Sequence, residues 1–174
     1  LAEGRSEIIN PSLCDDALAA IRCSEALGAK IRIGRERVEV RGGRNPVSST
    51  LDCGESGLCM RMFAPIAALF DKEFVLAANG SLLGRPVAML QGPLAKLGAT
   101  CSTNGGLPPV KVRGPIHGGK ISIDGSQSSQ FLTGLLMALP LCEEDSVVRV
   151  SNLKSKPYVR MTLELLGKFG IRLR

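Results

Sequence analysis

The 174-residue sequence predicts an α+β fold with α/β-like repeats, a succession of β-α-β-α-β-β units. Three observations predict it. A helical pattern occurs three times and closes each time on a glycine, at 28, 98 and 170, intervals of 70 and 72 residues; glycine suits the position just past a helix end. A short strand pattern follows each of these helices. A second, almost wholly apolar helix precedes the last two, and the serines at its two starts, Ser56 and Ser128, are again 72 apart.

The elements follow in order. The first helix opens Asp16-Ala17-Leu18-Ala19-Ala20-Ile21 and runs to Leu27, with strands at 30–33 and 37–41 behind it. With Ile31, Ile33, Val38 and Val40 facing inward, the basic run Lys30, Arg32, Arg35, Arg37, Arg41 and Arg44 becomes the wet face of a hairpin. The helix at 57–70 is apolar nearly all round beyond its first turn, which predicts burial. Pro65 inside it removes a hydrogen bond and predicts a kink. A strand at 74–77 precedes a helix at 85–97 with Pro86 at its first position. Val87, Leu90, Leu94 and Leu97 form one apolar stripe on that helix. A strand at 100–103 and a strand pair, 110–113 with 120–123, complete this unit. The pattern then resumes with a buried helix at 129–141, a strand at 147–150, a helix from Pro157 carrying Val159, Leu163 and Leu166, and a strand at 171–173. Strand-helix-strand pieces predict parallel pairing, closed by antiparallel strands. The period divides the chain into units at about 1–50, 51–122 and 123–174. Leu1-Ala2-Glu3-Gly4 aligns with Leu69-Phe70-Asp71-Lys72, so the first unit has no counterpart of the buried helix or of the strand before it. The expectation is an N-terminally truncated piece of a longer protein.

Composition narrows the function. At 44% hydrophobic and 22% charged the chain can bury a core. One Tyr, five Phe and no Trp exclude a base-stacking platform. The longest apolar stretch, 62–70, falls far short of the ~20 residues that span a bilayer. The six cysteines form no C-x-x-C pair and His117 is the only histidine, so no metal site is expected. The thiols read as reduced and mostly core, in a cytoplasmic protein, with Cys59 and Cys101 the positions where a nucleophilic thiol competes with plain packing. A net charge of +6 admits nucleic acid, a membrane surface or small anions. The dispersed basic residues favour small anions over nucleic acid or membrane.

Four helix starts carry the chemistry. Asp124-Gly125-Ser126-Gln127-Ser128-Ser129-Gln130 opens an apolar helix, where free N–H groups and partial positive charge favour a phosphate; Ser128 or Ser129 could equally be a plain N-cap. One unit earlier stands Asp52-Cys53-Gly54-Glu55-Ser56-Gly57, with Arg61 one turn inside. A cation on an apolar helix needs a partner: an anion, a rim position, or an ion pair with Glu55. Arg85 precedes a helix start, a poor place for a cation unless an anion docks there. Ser155-Lys156-Pro157-Tyr158 is its counterpart one period on, where Ser155 could cap and Tyr158 could pack.

These stretches together resemble the 3-phosphoshikimate 1-carboxyvinyltransferase (EPSP synthase) family: Gly54-Glu55-Ser56-Gly57-Leu58-Cys59-Met60-Arg61, Gly84-Arg85-Pro86, Ser128-Ser129-Gln130-Phe131-Leu132-Thr133 and Ser155-Lys156-Pro157-Tyr158. The resemblance implies an inverse α/β prism: two domains, each of three such units about a pseudo-threefold axis, of which this chain covers most of the first. It implies transfer of the enolpyruvyl group of phosphoenolpyruvate to the 5-hydroxyl of shikimate 3-phosphate, in the shikimate pathway of aromatic amino acid biosynthesis. By matching position Ser128, Ser129, Gln130, Ser155 and Tyr158 would hold shikimate 3-phosphate. Gly57, Arg61, Arg85 and Gln130 would hold phosphoenolpyruvate. No cofactor is implied. The second domain is the implied partner, and the acid-base residues lie in it, so this chain alone is expected to be inactive. Glu55 departs from the family's Asn-Ala-Gly-Thr loop, and a carboxylate beside an anion site is unexpected. Two other readings stay open: a UDP-N-acetylglucosamine 1-carboxyvinyltransferase-type enzyme, against which stands the lack of a cysteine at 71–85, and an RNA-binding module built on related repeats.

Overall fold

The computed structural model describes residues 1–127 and 129–173. The first unit comprises β1 (Arg5–Ile9), α1 (Asp15–Ala26), β2 (Lys30–Ile33) and β3 (Arg37–Arg41). Its sheet is antiparallel in the order β1-β3-β2. The second runs β4 (Thr50–Asp52), α2 (Gly57–Ala67), β5 (Glu73–Ala77), α3 (Gln91–Lys96), β6 (Thr100–Asn104) and β7 (Leu107–Arg113). Its sheet has the order β4-β5-β7-β6, parallel between β4 and β5 and antiparallel elsewhere. The third has β8 (Lys120–Asp124), α4 (Ser129–Ala138), β9 (Val147–Ser151) and α5 (Lys156–Lys168), with β8 and β9 parallel.

Some backbone geometry recurs along the chain. Strands β1, β3 and β2 take the places of β5, β7 and β6, and Arg5 stands opposite Arg41 as Glu73 stands opposite Arg113. The glycines that end α1, α3 and α5 all have positive φ, +104° at Gly28, +98° at Gly98 and +81° at Gly170. Only glycine enters that region without steric penalty, so the same device closes one helix per unit.

The core lies between the sheets and two buried helices. The inner faces of β5 and β7 present Phe74, Leu76, Val110 and Val112, all fully buried. Against them sit α2 and α4, buried almost all round as their composition predicts. They approach closely at Gly134, where a Cβ would meet the Met62 carbonyl oxygen at 2.5 Å and Pro65 Cγ at 2.7 Å. Helix α2 runs through Pro65 to Ala67. Helix α5 is tied to α4 by a hydrogen bond between the Thr133 and Thr162 hydroxyls, 3.4 Å.

Several expectations need correction. The helix expected at 85–97 is α-helical only from Gln91; before it lies a 3-10 turn, Ala88–Leu90, and Pro86 is outside both. Pro93 is the reason. It has no N–H to give to a carbonyl four residues back, so a continuous α-helix from 85 would break there, whereas in the first turn of α3 that N–H is not needed. The apolar stripe is nevertheless buried at Val87, Leu90, Leu94 and Leu97. Strand β8 pairs with β9, not with 110–113, because β7 is already flanked by β5 and β6. Residues 171–173 form no strand and pair with none of the described strands. Of the inward-facing positions of the basic hairpin, Val38 is buried but Ile33 is 47% exposed. The basic face itself is laced with carboxylates, Arg5 to Glu39 at 2.7 Å and Arg37 to Glu7 at 2.8 Å, which makes it a solvated surface of mixed sign. Of the cysteines, Cys23, Cys53 and Cys59 are buried, Cys101 and Cys142 partly so, and Cys14 is exposed; all are free. Among the described residues no helix is long and apolar enough to cross a membrane.

Candidate functional site

Strand β4 delivers the chain to α2 through a tight loop. Asp52 shapes it: its Oδ1 accepts the Gly54 N–H at 2.9 Å, and Gly54 takes φ +55°. Ser56, 3% exposed, caps α2 by accepting the Cys59 N–H at 3.1 Å. A second loop leaves the adjacent strand β5 and lies against the first, with the Asn79 N–H on the Gly54 carbonyl at 2.8 Å. This second loop forms a 3-10 turn, Gly80–Gly84, anchored by the fully buried Leu82, and ends at Arg85.

Two guanidiniums converge over Gly57, the first residue of α2. A Cβ there would lie 2.6 Å from Arg61 Nη1 and 3.3 Å from Arg85 Nη1. Arg61 is half-buried and held by three acceptors. Its Nη1 donates to the Gly57 carbonyl at 3.2 Å and to Gln130 Oε1 at 3.3 Å, and its Nη2 donates to the Pro86 carbonyl at 3.1 Å. Its Nε is buried and has no partner among the described residues. Burial and then the neighbouring Arg85 charge lower the Arg61 pKa from its ordinary value. Among the described residues no carboxylate comes within ion-pair reach of Arg61 or Arg85. Two adjacent cations beside the N-terminus of an 11-residue helix form a local excess of positive charge. An anion bound there would relieve it.

The family model for EPSP synthase (3-phosphoshikimate 1-carboxyvinyltransferase) matches residues 1–174. The chain is 41% identical over 174 residues to the 3-phosphoshikimate 1-carboxyvinyltransferase of Methanocella arvoryzae, covering 97% of this chain and 41% of that protein. To that of Methanocorpusculum labreanum it is 36% identical over 176 residues, 98% and 42% of the two. The chain belongs to the EPSP synthase family. A solved EPSP synthase from Acinetobacter baumannii superposes with a TM-score of 0.81 at 27% identity, over 96% of this chain and 39% of that one. The chain thus spans about two fifths of the length of the relatives it matches.

The EPSP synthase motifs at 54–61 and 84–86 occupy the loops just described, and those at 129–133 and 155–158 open α4 and α5; Ser128 lies outside the described residues. Gly57, Arg61, Arg85 and Gln130 are brought together by the contacts above. Gln130 turns its amide oxygen to Arg61, which joins the start of α4 to α2. Ser129 is the first residue of α4. Ser155 and Tyr158 stand at the start of α5, with no hydrogen bond to the arginine pair among the described contacts. Ser155 takes a left-handed conformation, φ +54°, ψ +37°, and its side chain makes no cap. A non-glycine residue held there is a strained position of the kind found at ligand clamps. Tyr158 is 65% exposed and so does not pack into the core.

The reading of Glu55 as an ion-pair partner for Arg61 does not hold. Its Oε2 accepts the Ser81 N–H at 2.8 Å, and its carboxylate fills the space a Cβ on Gly80 would need. The Ser81 backbone N–H, then the Ser81 side chain, hold its carboxyl below the usual range, with Arg85 assisting. The site therefore tolerates a carboxylate because that carboxylate is already bound. Three participants carry no signal in the sequence. Ser81 sits in an unpatterned loop. The Pro86 carbonyl is main chain. Arg22, whose Nε meets Asp52 Oδ2 at 3.0 Å and whose Nη2 lies against Gly54, looks like any solvated helix arginine. Burial pushes the Cys59 and Cys101 thiols up to about 11, and the Cys23 thiol beside Cys53 pushes that one up further, which argues against these three as nucleophiles. The thiolate is then a minute fraction at neutral pH.

Proposed function

We propose that this chain forms most of the first domain of a 3-phosphoshikimate 1-carboxyvinyltransferase, with repeat units at about 1–50, 51–122 and 123–174. The complete enzyme transfers the enolpyruvyl group of phosphoenolpyruvate to the 5-hydroxyl of shikimate 3-phosphate in the cytoplasm. The uncompensated guanidinium pair over Gly57 carries this reading. Phosphoenolpyruvate brings a carboxylate and a phosphate; Arg85, supported by Arg61, answers that charge, and the amide of Gln130 and the backbone at Gly57 orient it. Ser129 and Gln130 at the start of α4, and Ser155 and Tyr158 at the start of α5, hold shikimate 3-phosphate together with Ser128. The 5-hydroxyl gives up its proton and adds to the enol carbon as the methylene carbon takes a proton, and the tetrahedral adduct then expels phosphate while its new methyl group loses a proton to restore the double bond. This chain's part is positioning and charge stabilisation. The acid-base groups belong to the second domain, so residues 1–174 alone release no phosphate.

The test is phosphate release by the complete enzyme given both substrates. Absence of release overturns the assignment. Arg85→Ala is expected to raise the KM for phosphoenolpyruvate at least tenfold, from loss of a charged hydrogen-bonding partner worth about 1.5–3 kcal/mol. An unchanged KM would displace Arg85 from that contact.

A further inference from the structure

We infer that Glu55 is a positioning residue that sets Arg85 for its anion. The inference rests on the assignment of Arg85 to phosphoenolpyruvate above. Arg85 lies in a short loop between β5 and α3, and little covalent geometry constrains it. Four contacts fix that loop on α2 and its entry: the Asn79 N–H to the Gly54 carbonyl at 2.8 Å, the buried Leu82 side chain, Arg61 Nη2 to the Pro86 carbonyl at 3.1 Å, and the Ser81 N–H to Glu55 Oε2 at 2.8 Å. The last is the only one made by a side chain of the anion-site loop itself. From Ser81 the connection to Arg85 is one 3-10 turn, closed by the Arg85 N–H on the Leu82 carbonyl at 3.0 Å. A slip at Ser81 therefore moves Arg85 directly.

Gly80 shows how closely the clasp fits. At φ +50° it lies flush against the Glu55 carboxylate, and any side chain there would strike it. A carboxylate accepts from a backbone N–H more strongly than a neutral amide does, and here its hydrogen bond goes to Ser81, while Arg85 acts on it only from beyond ion-pair distance. Among the described residues neither arginine has an ion-pair partner, which leaves both for substrate. Glu55 thus does two things at once: it holds the Arg85 loop, and it stays out of ion-pair reach of both guanidiniums.

Two substitutions separate these roles. Glu55→Gln keeps an acceptor of the same reach and removes the charge. Glu55→Ala removes both. In the complete enzyme, Glu55→Ala is expected to raise the KM for phosphoenolpyruvate about tenfold, with the KM for shikimate 3-phosphate within twofold of wild type. Glu55→Gln is expected to hold the phosphoenolpyruvate KM to no more than about twofold above wild type. Loss of folded enzyme alone would lower kcat and leave both KM values in place. An unchanged phosphoenolpyruvate KM in Glu55→Ala, or an equal rise in Glu55→Gln, overturns the inference. Hydrogen exchange at the Ser81 amide supplies a readout that does not depend on the reaction. Exchange faster in Glu55→Ala and restored in Glu55→Gln supports the clasp even if the enzyme assignment fails; equal exchange in all three proteins overturns it.

Discussion

Gly57 is the residue at which the geometry is tightest. It carries no side chain, and the space a Cβ would fill is taken by the ends of Arg61 and Arg85. Both are tips of flexible side chains, and the Gly57 backbone is not in the left-handed region. Gly57→Ala is therefore expected to fold, with stability changed by about 0.5 kcal/mol or less. It pushes both guanidiniums outward, and the KM for phosphoenolpyruvate should rise roughly tenfold, within the ~10²-fold that a 1 Å misplacement can cost. Steady-state kinetics beside a urea melt would separate the two effects. Most of this neighbourhood was legible from residue types. Gly54, Gly57, Arg61 and Arg85 stand out because glycine and arginine are costly on or near a buried helix unless something uses them. Glu55 was legible as an anomaly but not as a solution, since its partner is a main-chain N–H at Ser81 and no side-chain pattern marks such a donor.

Among the elements, α2 and α4 decide where the site is, because each carries one half of it on its first turn. Their spacing is set by Gly134, whose missing Cβ lets α4 approach the Met62 main chain and Pro65. Gly134→Ala gains about 1 kcal/mol in helix propensity but places a methyl against main-chain atoms that cannot rotate away. The net expectation is a loss of about 1–3 kcal/mol, read as a lower urea midpoint. The Arg61–Gln130 hydrogen bond spans the same pair of helices, so activity should fall with it. The helices were legible through the 72-residue interval and their apolar runs. The start of α3 was not: Pro93 overrules an otherwise continuous stripe. The partner of β8 was not either, since strand periodicity says which face is buried and nothing about which neighbour is chosen.

At the scale of the molecule, the net charge of +6 turns out to be unevenly answered. Arg5, Arg22, Arg37, Arg113 and Arg160 all have carboxylates within ion-pair distance. Among the described residues the pair over Gly57 does not; Arg32, Arg35 and Arg41 lack one too, but at Gly57 two such cations converge beside a helix start. Composition alone could state the surplus but could not say where it is left unspent. The repeat supplies the missing step, because it brings distant helix starts, rich in Ser, Gly and Arg, onto neighbouring elements. That unanswered pair has a thermodynamic consequence. Any anion that occupies it binds the native state and not the unfolded chain, so folding and ligation become linked equilibria. Once the site is saturated, each tenfold rise in free phosphate should add about 1.4 kcal/mol, equivalent to about 3–6 °C in the melting temperature of a domain of this size. Chloride at matched ionic strength should shift it far less, and Arg85→Ala should flatten the phosphate response. The buffer in which this protein is stored would then be a determinant of how long it stays folded.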